Sequence, residues 1–403
     1  MQNIPVSIRS FSNFAAVAAL AASLVACGGD SAPASSAAST DTASLLALTA
    51  QVKATPVYRF TDLGALSVDG SVPYTVTRAA FGINKAGDVV GINFTAGELA
   101  EHATLWKKGN VINLGTLDPL SSGFSVATGI NDRGQIVGYS GFPPTRALLW
   151  NGTTVTELES LGGFFTAATA INKAGRIVGW SQIAPNAPGQ HAVVWDGTTA
   201  ATDLGTLGGS GSSATAINDA GQIVGSSSIA GNVESHATLW KEGAATDLGT
   251  LGGSESHASA INDAGQIVGS SSIAGNVESH ATLWKEGAAT DLGTLGGQYS
   301  HASGINKAGQ IVGYSLTADN ATARATIWNG TAAIDLNTLL DSSGTGITLL
   351  YATAINDAGQ IVGTMTYANG ASNAFLLTPI NSRHNEKKIN LKDDWKGASI
   401  GLP

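Results

Sequence analysis

The sequence predicts an all-β fold, a seven-bladed β-propeller of four-stranded blades, and three observations predict it. Three short motifs recur seven times in a fixed order from Pro56 onward, and a period of about 20 to 50 residues is typical of solenoids, propellers and arrays. Each repeat holds four short apolar runs bounded by turn residues. The repetitive region also begins and ends inside a repeat, which indicates a closed ring.

The firmest motif is Ile-Asn followed by two residues and then Gly-x-[Ile/Val]-Val-Gly. Its asparagines are Asn84, Asn131, Asn172, Asn218, Asn262, Asn306 and Asn356. A second motif, His-Ala-Thr-Leu-Trp, ends at Trp106, Trp150, Trp195, Trp240, Trp284, Trp328 and, as a variant, Leu377. The stretch from Ala216 to Gly253 recurs unchanged from Ala260 to Gly297, an offset of 260 − 216 = 44 residues. Because a catalytic site is usually single, an exact duplication points to architecture.

We name the four runs of a repeat a ("HATLW"), b ("ATDLGTL"), c ("ASAIN") and d ("GQIVGSS"). They are rich in Ile, Val, Leu, Thr and Trp and are bounded by Gly, Asn, Asp and Ser, which predicts strands. Several lack a clean in–out alternation, as expected of strands with both faces buried between neighbouring sheets.

The two ends of the repetitive region predict how the ring closes. The region begins with a run b, residues 58 to 66, and ends with a run a, residues 373 to 379. Neither terminal repeat is complete alone, but together they give seven copies of each run. Pairing of the C-terminal strand with the N-terminal strands would complete the last blade and remove exposed sheet edges. An open solenoid would need polar capping repeats, which the sequence lacks.

The N-terminal region is not expected to belong to the fold. Arg9 and the apolar run from Phe14 to Ala26 have the pattern of a secretory signal. The following "LVACGGD" resembles the lipobox of bacterial lipoproteins, with Cys27, the only cysteine, at the lipidated position. The alternative is an ordinary signal peptide cleaved nearby. The predicted domains are a lipoprotein signal peptide at 1–26, a flexible tether at 27–54, the propeller at 55–379 and a flexible C-terminal tail at 380–403.

The motifs "HATLW", "LGTLGG" and "IN(D/K)AGQIVG" resemble the HAF repeats of bacterial extracellular proteins over residues 56 to 379. The resemblance implies a secreted or surface-attached repeat protein of undefined biochemical activity. With the lipobox, it places the protein outside the cytoplasm as a membrane-anchored lipoprotein, at the outer membrane or the cell surface.

Composition and motifs narrow the classes of function. The net charge of −9 comes without a basic stripe, which argues against nucleic acid as a partner. No nucleophile elbow, phosphate loop or metal-ligand cluster is present, so no enzyme activity, metal or cofactor is expected. Lysine replaces aspartate in three of the Asn-Asp-Ala-Gly turns, which favours tight hairpins over calcium loops.

The repeated histidines and tryptophans carry alternative interpretations. Histidines begin run a or precede run c, where a hydrogen-bonding role competes with metal binding or acid–base work. The tryptophans of run a are expected to pack between blades, with a sugar-stacking ring as the alternative.

The candidate site lies where the repeat spacing is irregular. The connections from run b to run c are longest in the first and seventh repeats, which are neighbours in a closed ring. Irregular loops on a rigid scaffold often bind ligands, although such loops can also be solvated segments that patch the ring junction. The candidate ligand contacts are Asp69, Tyr74, Arg78, Asp118, Phe124, Asp341 and Tyr351.

The sequence therefore predicts a monomeric, non-catalytic scaffold that binds a ligand, either a glycan or a surface protein. Two alternatives stay open. One is a propeller enzyme, a hydrolase or lyase that acts on extracellular glycan. The other is a purely structural surface spacer, which the near-perfect duplication favours.

Overall fold

A computed structural model describes residues 57–66, 78–94, 100–117, 123–141, 144–187, 189–232 and 234–380. These residues form an all-β protein with two short 3-10 helices, Leu336–Leu339 and Ser342–Gly344. In this part of the chain, no helix combines the length and the apolar character that crossing a membrane would require. The signal peptide, Cys27, the tether and the C-terminal tail lie outside the described residues, so those predictions stay predictions.

The strands follow the order of the predicted runs, c, d, a and b, in successive groups of four. Strand β1 is Val57–Asp62. Group 1 is β2 (Ala79–Ile83), β3 (Val89–Phe94), β4 (Glu101–Lys107) and β5 (Asn110–Gly115). Group 2 is β6 (Ser125–Ile130), β7 (Ile136–Ser140), β8 (Arg146–Asn151) and β9 (Thr154–Leu158). Group 3 is β10 (Thr166–Ile171), β11 (Ile177–Gln182), β12 (Gln190–Trp195) and β13 (Thr202–Asp203).

The remaining groups contain longer c strands. Group 4 is β14 (Gly208–Ile217), β15 (Ile223–Ile229), β16 (Ser235–Lys241) and β17 (Ala244–Asp247). Group 5 is β18 (Gly252–Ile261), β19 (Ile267–Ile273), β20 (Ser279–Lys285) and β21 (Ala288–Asp291). Group 6 is β22 (Gly296–Ile305), β23 (Ile311–Thr317), β24 (Ala323–Asn329) and β25 (Ala332–Asp335). Group 7 is β26 (Ile347–Ile355), β27 (Ile361–Tyr367) and β28 (Ser372–Ile380), together with β1.

Within a group, neighbouring strands pair antiparallel as a meander. Groups 1, 2, 3 and 7 are separate four-stranded sheets, and groups 4, 5 and 6 are joined into a twelve-stranded sheet by single parallel residue pairs. In group 7 the fourth strand is β1, which pairs with β28 from Val57 opposite Ile380 to Asp62 opposite Phe375. The N-terminal strand therefore completes the C-terminal sheet, as the order of runs predicts.

The asparagines of the Ile-Asn motif form a hydrogen-bonded belt between groups. Each side-chain Nδ2 donates to the backbone carbonyl of the next asparagine, with N–O distances of 3.0 to 3.3 Å. The seventh, Asn356, donates to the carbonyl of Asn84, the first. Consecutive c strands also contact one another, from β2 and β6 through to β26 and β2. We call the c strands the inner strands for this reason.

The tryptophans of run a are core residues. Their exposed fractions are 1 to 4%, and Leu377 at the seventh position is fully buried. Trp240 packs against Val178 and Ala192 of the preceding group, and Trp284 packs against Val224 and Ala237 in the same way. Each tryptophan thus fills the space between two groups, and the predicted packing role is confirmed.

Every inner strand carries a bulge three residues before its belt asparagine. The bulge residues are Phe81, Thr128, Thr169, Thr215, Ser259, Ser303 and Thr353. A bulge leaves its extra residue outside the ladder and redirects its side chain. The neighbouring glycine of run d is required beside it, because a Cβ at Gly269 would lie 1.9 Å from the carbonyl oxygen of His257.

Candidate functional site

Two residues before the bulge, the inner strands differ from group to group. The seven residues at this position are Ala79, Val126, Ala167, Ser213, His257, His301 and Tyr351. They are small or apolar in groups 1 to 4 and carry polar rings in groups 5 to 7. Because groups 5, 6 and 7 are consecutive, the structure brings these rings together on one side.

Four rings form a contiguous cluster, which we call the ring cluster: His257, His301, Tyr314 and Tyr351. The His257 and His301 rings stack with centroids 6.4 Å apart, and His301 stacks on Tyr314 at 5.8 Å. Tyr314 meets Tyr351 edge to face at 5.1 Å. His301 and Tyr314 are direct cross-strand partners on β22 and β23, which explains their contact. All four side chains keep part of their surface accessible.

A hydroxyl also reaches the cluster. Ser259, the bulge residue of group 5, places its Oγ 3.0 Å from Nε2 of His301 in group 6. Which of the two atoms donates depends on the tautomer of the imidazole. The contact joins an oxygen on one group to a ring nitrogen on the next.

Burial keeps the ring cluster uncharged. It lowers the pKa of His257 from its ordinary value to about 4 and that of His301 to about 3, and the nearby His257 lowers the His301 value further. Burial likewise raises the pKa values of the Tyr314 and Tyr351 phenols. At neutral pH the cluster is therefore a set of neutral imidazoles and phenols, because desolvation disfavours every charged form.

This set of groups suits a particular kind of ligand. Neutral imidazoles and phenols offer donors, acceptors and flat ring faces, but no formal charge. They match an uncharged ligand that has hydroxyl groups and an apolar face. Among the residues that the structure describes, no group of three or more His, Cys, Asp or Glu is placed to hold a metal ion.

The histidines of run a lie elsewhere and have structural partners. His191, His236 and His280 each place Nδ1 at 2.7 to 2.8 Å from an aspartate of the adjacent b strand. The same pair of positions holds Arg146 with Glu157 in group 2 and Asn373 with Asp62 in group 7. The pair recurs with different chemistry, so its common role is to join the a and b strands.

Of the seven predicted contacts, Asp69, Tyr74 and Asp118 lie outside the described residues. Tyr351 belongs to the ring cluster. Arg78 directly precedes inner strand β2. Burial and the hydrogen bond to Asp62 raise the pKa of the Tyr367 phenol, and the positive charge of Arg78 opposes that rise. These placements leave the predicted sector an untested prediction.

Phe124 and Asp341 have structural surroundings. The Phe124 ring lies 6.0 Å from that of Tyr139 in an apolar cluster of groups 1 and 2. Asp341 caps a short 3-10 helix, and its backbone N–H donates to Tyr58 on β1. Because β1 and β26 are opposite edges of one sheet, Asp341 and Tyr351 lie at its two ends. These two residues therefore lie near opposite edges of one sheet, and the predicted sector stays a prediction.

Sequence reasoning considered His257 and His301 only as histidines that precede run c, and it missed Tyr314 and Ser259. The sequence does contain a signal for these positions. The identical unit begins at Ala216 and Ala260, and Ser213 of one copy corresponds to His257 of the other, just upstream. The d-strand residue is Ser226, then Ser270, then Tyr314 in consecutive groups. The positions that form the cluster are among those that differ between these repeats.

No family model matches the chain, and no curated protein matches it. Solved structures do match. One is a gluconolactonase from Xanthomonas campestris, at 10% sequence identity and a TM-score of 0.37, with 81% of this chain and 91% of that chain covered.

This comparison contradicts the expectation that the protein is not an enzyme, because the similar structure is that of an enzyme. We correct that expectation. At this level of similarity the neighbour's own activity is not transferred to this chain.

Proposed function

We propose that the seven groups are the blades of one closed propeller. The belt of asparagines supports this, since its hydrogen bonds run through all seven groups and return from Asn356 to Asn84. The pairing of β1 with β28 supports it as well. In such a ring the inner strands surround the axis, and the ring cluster occupies one side of the central channel.

Within this ring, we propose that the protein binds an uncharged, polyhydroxylated ligand of the glycan class at the ring cluster. The observation that carries the proposal is the contiguous set of four neutral rings on three consecutive inner sheets. Sugar hydroxyls can exchange hydrogen bonds with the imidazole nitrogens and phenol oxygens, and the C–H face of a sugar can pack on the flat rings. Groups 1 to 4 carry small or apolar residues at the matching position, so the polar rings are confined to groups 5 to 7.

A second candidate function is a hydrolase or lyase that acts on extracellular glycan. The favouring observation is that the cluster combines groups able to accept and donate protons, neutral imidazoles beside phenols, with a serine hydroxyl at 3.0 Å. General acid–base catalysis needs such groups within hydrogen-bond reach of the reacting atoms. Binding and catalysis would use the same cluster.

We also propose the cellular setting that the sequence predicts. The protein would be an extracytoplasmic HAF-repeat lipoprotein attached to a membrane through Cys27, acting as a monomer. The lipobox resemblance and the repeat motifs support this proposal. Metabolic labelling with a fatty-acid analogue, lost in Cys27→Ser, would test the anchor.

The binding proposal is tested with the full chain on an array of neutral and charged glycans, with isothermal calorimetry for each hit. The test variant is His257→Ser together with His301→Ser, because Ser213 occupies the same position in group 4 and shows that the repeat accepts serine there. We expect the double variant to lose at least tenfold in affinity, since it removes two rings and their hydrogen bonds.

The matched control is Tyr299→Ser, which removes a ring that is 39% exposed and outside the cluster. It should bind as the unaltered protein does. A hit whose affinity is the same in the double variant would place the binding site elsewhere. No hit on any glycan would favour the purely structural role.

A further inference from the structure

The bulge residues have one arrangement in four groups and another in group 5. In the four groups the threonine hydroxyl bridges two backbone carbonyls, one on the adjacent d strand and one on the next inner strand. The threonines are Thr128, Thr169, Thr215 and Thr353. This bridge is part of the scaffold, because it ties each group to the next.

Ser259 departs from that arrangement. Its hydroxyl lies 3.0 Å from Nε2 of His301, where the threonine hydroxyls reach carbonyl oxygens. The substitution of threonine by serine removes the methyl group that fixes the rotamer, so the hydroxyl can turn toward the imidazole. The bulge already places the side chain outside the ladder. The result is an alcohol within hydrogen-bond distance of a neutral imidazole at the proposed glycan site.

We propose that Ser259 is a nucleophile and His301 its general base, and that the pair removes an acyl group carried as an ester on a glycan hydroxyl. The inference rests on the proposed binding of a glycan at the ring cluster. An alcohol and a base within hydrogen-bond reach are the two groups that nucleophilic acyl transfer requires. Partial accessibility of both side chains permits an ester to approach.

The step proceeds through an acyl-enzyme. Ser259 Oγ forms a bond to the ester carbonyl carbon while its proton passes to Nε2 of His301. The bond from that carbon to the sugar oxygen breaks, and the leaving oxygen takes the proton from Nε2. Water then attacks the acyl-serine, gives a proton to Nε2, and releases the carboxylic acid as the proton returns to Ser259 Oγ. The products are the free glycan hydroxyl and the acid.

The environment of His301 predicts that removal of the acyl group by water is slow. His301 stacks on His257 and Tyr314, and burial holds its pKa low, so it is a weak base. Attack by water on the acyl-serine depends on that base. With p-nitrophenyl acetate, whose leaving group departs far more readily than a sugar hydroxyl, Ser259 attack is the easier step. We therefore expect the acyl-enzyme to accumulate with this ester, which makes the covalent state directly measurable.

The test uses the full chain, p-nitrophenyl acetate as the ester and a fluorophosphonate as a covalent probe. Intact mass spectrometry and peptide mapping report where each label sits. We expect one label per chain, on Ser259. Ser259→Ala and Ser259→Thr should abolish it, and threonine is the residue of four other groups, so its loss of label would not reflect misfolding.

The matched control is Ser303→Ala, which removes the serine at the same position in the next group and should label as the unaltered protein does. His301→Ser should slow labelling at least tenfold. Label that persists in Ser259→Ala, lies on another residue, or is absent altogether would overturn the proposal. Glycan binding retained by a Ser259→Ala protein that no longer takes the label would support both proposals. Binding with no label in the unaltered protein would overturn the nucleophile alone, and a protein with neither would overturn both.

Discussion

Histidine serves two purposes in this protein, and the difference lies in what surrounds each ring. The run-a histidines His191, His236 and His280 face carboxylates of the neighbouring strand, whereas His257 and His301 face each other, a phenol and a serine hydroxyl. In the second setting no carboxylate compensates for desolvation, and the neutral imidazole is favoured. The same residue type is therefore structural at one strand position and available for chemistry at another.

The low pKa values of His257 and His301 predict a loss of stability in acid. Above pH 6.5, the ordinary value, both rings are neutral in the folded and the unfolded chain. As the pH falls below 6.5, both histidines become protonated in the unfolded chain. In the folded chain His257 is protonated only near pH 4 and His301 only near pH 3. In this range each histidine lowers the free energy of unfolding by at most about 1.4 kcal/mol per pH unit, and by less where water reaches the ring.

Urea unfolding at pH 7 and at pH 5 measures this loss. The unaltered protein should lose about 1 to 3 kcal/mol more stability over that interval than the variant with His257→Ser and His301→Ser. Carboxylates titrate equally in both proteins, so the difference isolates the two rings. Equal losses in the two proteins would show that the rings are not desolvated in the folded state.

The elements were largely predictable because strand signals repeat seven times. Runs a, c and d correspond to strands in every group. Run b is shorter than predicted, with two to four residues in groups 3 to 6. In groups 3 to 5 the Gly-Gly of "LGTLGG" begins the next inner strand instead, and in group 6 the 3-10 helix Leu336–Leu339 follows the b strand. Gly208 has a φ of +98°, a conformation that glycine adopts readily, and so the chain turns there into β14.

The ring cluster was less predictable because it depends on contacts between elements. Run c predicts a strand but does not reveal its bulge, and the bulge decides that Ser259 projects toward His301. The stacking of His301 on Tyr314 needs the register of β22 against β23. Asp341 was selected on loop length, and the sequence did not show that its carboxylate caps a short helix.

The asparagine belt should stabilise the inner strands strongly. Asn262 is 5% exposed and donates to the Asn306 carbonyl and to Gln266 Oε1, while its Oδ1 accepts from the Gln266 N–H. Asn262→Ala removes all of these and leaves a buried donor without its partner. We expect a loss of about 2 to 4 kcal/mol in the free energy of unfolding, measured by urea denaturation.

The adjacent Asp263 provides the comparison. Its side chain is exposed and accepts one backbone N–H from Asp219, with a surface ion pair to Lys307 at 3.2 Å. Asp263→Ala should cost less than about 1 kcal/mol, because exposed ion pairs contribute little. Similar losses for the two variants would mean that the belt is incidental to stability.

At the scale of the molecule, the exact duplication is explained by position. Groups 4 and 5 supply equivalent sections of belt and core, and each packs against neighbours through the same tryptophan, alanine and valine positions. The shared unit is therefore kept the same because it supplies the same part of the scaffold in both groups. Just upstream of it the two groups differ, and two of those differences, Ser213 against His257 and Thr215 against Ser259, lie at the ring cluster.

The proposed closure of the ring predicts that the chain order can be permuted. In group 4 the a and b strands are joined by a turn at Glu242 and Gly243, both with positive φ, between the paired residues Lys241 and Ala244. In group 7 the equivalent strands are β28 and β1, whose last pair is Ile380 with Val57, and nothing joins them. A Glu-Gly turn from Ile380 to Val57 would supply the missing connection.

The permuted chain would keep residues 1 to 56, continue with 67 to 380, then the Glu-Gly turn, residues 57 to 66 and the original tail. Because every strand keeps its partners, we expect it to fold with a Tm within a few degrees of that of the natural order, as measured by circular dichroism. Joining the ends converts the pairing of β1 with β28 into a local hairpin, which lowers the entropy cost of closing the ring.

A control permutation that instead moves residues 57 to 66 to a position between β14 and β15 separates β1 from β28 and should fail to fold. If the first permutation failed as completely as the control, the two termini would not belong to one blade.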